Sequence, residues 1–323
     1  MSPIGFLLKR DQPDAVDLCK QLVAALRERG ERELVLRDRL PLAGPLSAAG
    51  GASLGSVDDE PPLDARAVAL AGINTITEEE LPRDLRFLVV LGGDGTMLYG
   101  AGLLGDRRVP MLGINLGHLG FLTCCSPGEA VATLHAVLDG ELPLEPRQRL
   151  RCRVYRQPEG EPTAPLSAKN LLVERTAVND VVLSQPAQAR LFELDTYIDG
   201  DAVATYRADG LIISTPTGST AYSLAVGGPI LMPNLDALVL SPICPHTLTA
   251  RPLVTRLHSL VEVRPGRGAD NILLTIDGQW SQTLERTDVV QVTCADAPLS
   301  IFRPPRRSFF DLLRTKLHWG VRS

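Results

Sequence analysis

Two patterns of apolar and polar positions divide this chain. In the first part, short unbroken apolar runs alternate with segments of helical period. "IGFLL" at Ile4–Leu8 reads as a buried strand. "DAVDLCKQLVAALRERG" follows, with Ala15, Leu18, Cys19, Leu22 and Leu26 at helical spacing and Gly30 marking the stop. "ELVL" at Glu33–Leu36 is the next strand, and strand, helix, strand in this order predicts a βαβ unit and a parallel sheet. The strand Phe87–Leu91 runs into "GGDGT", with a helix expected from near Thr96, and "VPMLGIN" is a strand ending at Asn115. "SPGE" at Ser126–Glu129 is a capping box with Pro127 at the first helical position, opening a helix through Leu138.

Leu40 to Asp64 breaks this rhythm. Its Pro, Gly, Ala and Ser content buries little, which predicts a mobile loop. After about Glu145 the period changes. "RLRCRVYR", "TAVNDVVLS" and "LFELDTYI" are strand-like, and Asp199-Gly200 between two strand runs is a hairpin signal. The expected organisation is an α/β domain over 1–145, a β-rich domain over 146–303 and a C-terminal segment over 304–323 packing back on the body. A cleft between two such domains is a common place for a ligand.

Composition narrows the class without changing the layout. The chain has 323 residues, 44% hydrophobic and 22% charged, with a net charge of -5. That balance gives no basic footprint of nucleic-acid binding. No apolar run is long enough for a signal peptide or a membrane span. The six cysteines are scattered with no Cys-x-x-Cys pair, which fits a reducing cytoplasm, and no metal-ligand spacing occurs.

The candidate chemistry starts at "LGGDGTML", Leu91–Leu98. Glycines behind a parallel strand let backbone N–H groups approach an anion, and a helix N-terminus adds partial positive charge. Asp94 would oppose a bare phosphate there, but suits a hydroxyl or water on a magnesium ion. A carboxylate orienting the attacking hydroxyl is a recurrent part of phosphoryl transfer. From these residues alone a helix-capping turn is the simpler reading. The second mark is "TPTGSTAYS", Thr215–Ser223, where hydroxyl side chains crowd around Gly218 next to "RADG" at Arg207–Gly210. Small hydroxyl residues beside open backbone suit ribose, amide or phosphate recognition.

"GGDGT", "GINLGHLGFLT", "AVNDVVL", "DGLIISTPTGSTAYSLAVGGPI", "ICPHTLTARPLV" and "DGQ" follow one another in that order. This series resembles the NAD kinase family from about Phe87 to the "TKLHWG" end. "GGDG" alone is also similar to phosphofructokinases and to diacylglycerol and sphingosine kinases. The resemblance implies transfer of the γ-phosphate of ATP to the 2′-hydroxyl of the adenosine ribose of NAD, giving NADP. It also implies a Rossmann-like, phosphofructokinase-like N-terminal domain, a β-sandwich C-terminal domain, dependence on a divalent cation such as Mg2+, and a homodimer or homotetramer.

Carried over by position, Asp94 is the proton acceptor, and Gly92, Gly93 and Gly95 lie close to the phosphates and ribose. Asn179 and Asp180 match an Asn-Glu pair that holds the dinucleotide, the shorter Asp180 keeping the charge. Arg207 and Asp209 flank the nicotinamide and ribose. Thr220, Ala221, Tyr222, Ser223, Leu224 and Ala225 wrap the adenine end, Gln279 belongs to the family's Asp-x-Gln, and Arg190 aligns with a variable site. Two other readings stay open: a kinase of another alcohol sharing only "GGDG", and a non-catalytic dinucleotide sensor. The remaining marks are structural. His118 reads as a loop histidine, Cys124 and Cys125 as packed small side chains, and Arg303–Arg307 as a solvated basic patch. Trp280 is core or cleft wall, and Ser308–Trp319 is an amphipathic segment.

Overall fold

The computed structural model describes residues 2–10, 12–36, 72–117, 120–161, 164–185, 192–247, 249–269, 271–303 and 308–318. The expected loop over Leu40–Asp64, His118 and Arg190 lie outside the described residues, as does 304–307 of the basic patch. The chain forms two compact units, Met1–Pro146 with Leu299–Ser323, and Arg147–Pro298.

The first unit is built on a seven-stranded sheet. Its strands are β1 (Ile4–Leu8), β2 (Glu33–Leu36), β3 (Thr75–Ile76), β4 (Phe87–Leu91), β5 (Met111–Ile114), β6 (Leu144–Arg147) and β19 (Leu299–Phe302), in the order β3-β2-β1-β4-β5-β19-β6. β3, β2, β1, β4, β5 and β19 pair in parallel. β1 and β4 are buried along their whole length, which is why their apolar runs do not alternate. Helices cover both faces. On one, α1 (Pro13–Glu28) buries the predicted Ala15, Leu18, Cys19, Leu22 and Leu26 in a core shared with Phe6, Val89, Ile114 and Leu134. Leu134 comes from α3 (Ala130–Leu138), entered through the predicted Ser126 capping box and a 3₁₀ turn. On the other face lies α2 (Asp94–Leu104). A Cβ on its Gly100 would stand 2.9 Å from Met111 Cε and 3.1 Å from Leu7 Cδ2, so a larger residue would have to push these side-chain ends aside for the helix to sit this close to the sheet. The C-terminal helix is named α5 below (Phe309–Leu317).

One strand departs from the expected layout. The sequence reading leaves Leu299–Phe302 in the second domain, whereas Ile301 pairs with Met111 and the Phe302 ring meets Phe87 edge-on at 5.7 Å. The chain thus returns to complete the first unit's sheet, a long-range pairing that local period cannot reveal.

The second unit holds two six-stranded sheets. One orders β11 (Asp201–Ala208), β10 (Phe192–Ile198), β15 (Val261–Pro265), β18 (Asp288–Cys294), β7 (Leu150–Arg156) and β8 (Leu171–Ala177). The other orders β14 (Leu253–Arg256), β13 (Ala237–Ile243), β12 (Gly210–Ser214), β9 (Asp180–Ser184), β16 (Ile272–Ile276) and β17 (Trp280–Leu284). Inward side chains of both, among them Val154, Leu194, Leu211, Leu240, Leu274 and Val290, make one core, so the unit is a β-sandwich. The predicted hairpin joins β10 to β11, with Asp199 at φ 53° and Gly200 at φ 91°. "TAVNDVVLS" is two strands rather than one: β8 ends at Ala177 in one sheet and β9 begins at Asp180 in the other.

Candidate active site

Asp94 is the first residue of α2, directly behind the buried β4. Gly92 N–H donates to Ile114 O at 2.9 Å, so the two central strands end together. A Cβ on Gly92 would stand 2.3 Å from Thr96 Oγ1, which makes glycine necessary at this turn. A Cβ on Gly95 would meet nothing within 4 Å and one on Gly93 only Asn115 Oδ1 at 3.8 Å, so this backbone is open to a ligand. The Asp94 side chain does not cap the helix. Its carboxylate accepts the N–H groups of Phe121 at 2.9 Å and Leu122 at 3.0 Å, in the loop after β5. The side chain stays 29% exposed, and Lys316 Nζ on α5 lies 3.8 Å from it. A carboxylate so fixed keeps further lone pairs for an incoming donor, at the carboxyl ends of parallel strands where open α/β sheets bind ligands.

The second unit holds a different cluster of its own. Asp277, in the turn between β16 and β17 at φ 51°, accepts the N–H groups of Val178 at 2.7 Å, Asn179 at 2.7 Å and Asp180 at 2.9 Å. Asp277 N–H donates back to Asp180 O at 3.0 Å. These bonds replace a ladder where the chain crosses from β8 to β9, and they are why "TAVNDVVLS" breaks at Asn179. Gly218 closes the other side, since a Cβ there would stand 2.1 Å from Asn179 O. Burial pushes the Asp180 carboxyl up to about 7, with the negative Asp277 adding to the rise. Burial also pushes Asp277 up, to about 6, against the opposing pull of its three backbone donors. Burial lets the Asp180 carboxyl keep its proton to a higher pH than an exposed aspartate, so near neutral pH it can donate as well as accept.

The hydroxyl-rich run divides into framework and exposed parts. Thr215 Oγ1 donates to Val178 O at 2.6 Å, Ser219 Oγ to Pro216 O at 2.6 Å, and Thr220 Oγ1 to Thr217 O at 3.2 Å. Ser223 is fully buried and shares its hydroxyl with Ser241 at 2.9 Å. Tyr222 is 45% exposed in the short helix α4 (Tyr222–Ala225), with Ala225 exposed and Ala221 and Leu224 half-buried. Gln279 is exposed in the turn after Asp277. Arg207 and Asp209 are also exposed, with Arg207 Nε 3.5 Å from Glu193 Oε1. They sit before Gly210, at the opposite end of β12 from Ser214, which pairs with Asp180. Those ends are roughly 13 Å apart by strand rise, so Arg207 and Asp209 do not join the Asn179 cluster. The distance suits an extended ligand rather than a compact one.

Three features escape the sequence reading. Asp277 stands in the quoted "DGQ", of which only Gln279 is taken. Gly120 stands in "GINLGHLGFLT", and a Cβ there would come 1.9 Å from Asp94 Oδ1. Lys316 stands in the amphipathic tail. A lone acid after an apolar strand was the available signal for Asp277; Gly120 and Lys316 are joined to Asp94 only by long-range contacts. Trp280 is half-buried against the sandwich core, with the Arg175 guanidinium 5.5 Å over its ring.

Comparison with known proteins finds matches in both units. The model of the ATP-NAD kinase N-terminal domain matches residues 4–142, and that of the ATP-NAD kinase C-terminal domain matches residues 178–303. An NAD kinase of Solibacter usitatus is 42% identical over 78% of this chain and 84% of its own length. One of Syntrophotalea carbinolica is 37% identical over 100% of both chains. Yeast NADH kinase, solved in complex with NADH, superposes with a TM-score of 0.80 at 26% identity, covering 100% of this chain and 89% of the yeast chain. A match to both domains sets aside a kinase sharing only the Gly-Asp-Gly turn. The chain belongs to the ATP-NAD kinase family.

Proposed function

We propose that Asp94 takes the proton from the acceptor hydroxyl in this NAD kinase, which transfers the γ-phosphate of ATP to the 2′-hydroxyl of the adenosine ribose of NAD. The observation that carries this role is the carboxylate held by the Phe121 and Leu122 N–H groups instead of by its own helix. A ribose hydroxyl is a poor nucleophile, and a positioned carboxylate can accept its proton as the phosphorus–oxygen bond forms. Gly92, Gly93 and Gly95 leave backbone for phosphate oxygens at the N-terminus of α2. Magnesium fits as a companion of ATP: both Asp94 oxygens already accept backbone N–H groups, which suits contact through metal-bound water. When bound, it neutralises charge on the transferring phosphoryl group.

In the second unit, Asn179 and Asp180 hold ribose hydroxyls of the dinucleotide, Asp180 donating to one of them when protonated and accepting when ionised. Tyr222 and its neighbours from Thr220 to Ala225 take the adenine end, Gln279 supports the same cluster, and Arg207 with Asp209 take the nicotinamide end. The protein works as a homodimer or homotetramer in the cytoplasm. Exposed apolar side chains on edge strands, Val203 on β11 and Leu253 and Val254 on β14, support self-association, and the free cysteines support a reducing compartment. Among the described residues no helix is long and apolar enough to cross a membrane.

The acceptor assignment is tested with an NAD analogue lacking the adenosine 2′-hydroxyl. It should bind and receive no phosphate while NAD is converted to NADP. Phosphorylation of the analogue would overturn the assignment.

A further inference from the structure

The tail segment Ser308–Trp319 reads from the sequence only as packing, and its described part is the helix α5. Ser308 caps it, accepting the Asp311 N–H at 3.1 Å. Phe309, Leu312 and Leu313 are buried on one side. Lys316 follows Leu312 and Leu313 by four and three positions, so it shares their face and is carried toward the sheet. Its Nζ lies 3.8 Å from Asp94 Oδ2 and 5.5 Å from the centroid of the Phe121 ring. Phe121 N–H donates to the same Asp94 oxygen at 2.9 Å, and the Phe309 ring stands 6.2 Å from the Phe121 ring. Asp94, Phe121 and Lys316 therefore close a triangle, braced from behind by Phe309.

We infer that Lys316 is a positioning residue for phosphoryl transfer, a cation that offsets the Asp94 charge so that a triphosphate can approach while the carboxylate keeps its aim. The inference rests on the proposed role of Asp94. A carboxylate beside a donor phosphate carries like-charge repulsion, and a nearby cation lowers it. At 3.8 Å the ammonium is beyond tight hydrogen-bond range, so it lends charge without occupying the lone pair needed for the ribose proton. Its second seat over the Phe121 ring keeps it from swinging away, as a cation over an aromatic face is attracted to it.

The test compares Lys316→Met, Lys316→Gln and Lys316→Arg, each alone and in an Asp94→Asn background, with ATP, magnesium and NAD. In the neutral variants kcat should fall about tenfold and KM for ATP should rise several-fold. KM for NAD should stay within about twofold, and Lys316→Arg should recover most of the loss. In the Asp94→Asn background the neutral variants should change kcat less than about twofold, since coupled residues fail to add. Wild-type kinetics in both neutral variants would overturn the inference, as would an arginine variant no better than methionine. A full tenfold loss persisting in the Asp94→Asn background would also overturn it, because Lys316 would then act without Asp94. Near-normal turnover in Asp94→Asn itself would instead defeat the base assignment, and this inference with it. Should methionine prevent folding, the glutamine and arginine pair decides.

Discussion

A Cβ on Gly120 would stand 1.9 Å from Oδ1 of Asp94, so glycine at 120 is what leaves room for the carboxylate. The atoms in the way are the Asp94 carboxylate itself, with Cγ at 2.6 Å and Oδ2 at 2.9 Å, and it cannot move aside without giving up its bonds to the Phe121 and Leu122 N–H groups. Gly120→Ala should therefore displace the carboxylate, lower the melting midpoint by several degrees as those N–H groups lose their acceptor, and lower kcat of the folded protein about 100-fold, since small misplacements of reacting groups carry costs of that order. Steady-state kinetics beside differential scanning fluorimetry checks this. A kcat per folded molecule close to wild type would assign Gly120 to folding alone.

Gly218 faces a harder obstacle. The atoms in the way of its Cβ are Asn179 O at 2.1 Å and Asn179 C at 2.5 Å, which are backbone and cannot rotate aside. Gly218→Ala should displace Asn179, raise KM for NAD at least several-fold and lower the melting midpoint by several degrees. An unchanged KM for NAD would detach Asn179 from dinucleotide binding.

Asp277 holds the turn that presents Asn179 and Asp180. Asp277→Ala leaves three backbone N–H groups without their acceptor. At about 1–3 kcal/mol for each buried donor left unpaired, the variant should lose at least about 3 kcal/mol in denaturant unfolding, or fail to fold. Stability within about 1 kcal/mol of wild type would mean that water replaces the carboxylate at low cost.

The raised Asp180 gives a pH signature of definite sign. Its ordinary value is 3.8 and burial brings it to about 7. The folded state therefore binds more protons than the unfolded state between those values. The stability this group contributes is full below about pH 4 and is lost as pH rises through about 7. Asp180→Asn removes that titration. The ligand-free variant should melt above wild type at pH 8, and the difference should shrink toward pH 5. Melting curves across that range decide it, and a difference independent of pH would contradict a buried, protonated Asp180.

Much of the first unit was legible in the sequence because its elements carry their own period. Ala15, Leu18, Cys19, Leu22 and Leu26 mark α1, and the unbroken runs at Ile4–Leu8 and Phe87–Leu91 mark strands buried on both faces. The hairpin at Asp199-Gly200 was legible from turn chemistry. What stayed hidden depends on distant partners. Leu299–Phe302 looks like any sandwich strand until Ile301 meets Met111. "TAVNDVVLS" looks continuous because the carboxylate that breaks it, Asp277, is 98 positions from Asn179. In the site, Asp94 announces itself by an acid among glycines, while Gly120 and Lys316 acquire meaning only through contact with it. The hydroxyl run misleads in part, because Thr215, Ser219 and Ser223 spend their hydroxyls on the framework.

The most direct test of the account is the rate of NADP formation by Asp94→Asn in a single turnover with ATP, magnesium and NAD all saturating, set beside NAD affinity from calorimetry. Asparagine keeps the size and one accepting oxygen, but puts an N–H₂ where a second backbone donor now points. General-base catalysis contributes about 10²–10⁴-fold, so the rate of the chemical step should fall by that factor while NAD affinity changes much less. A near-normal rate in Asp94→Asn would contradict the account and leave Asp94 as the residue that holds the Phe121–Leu122 loop.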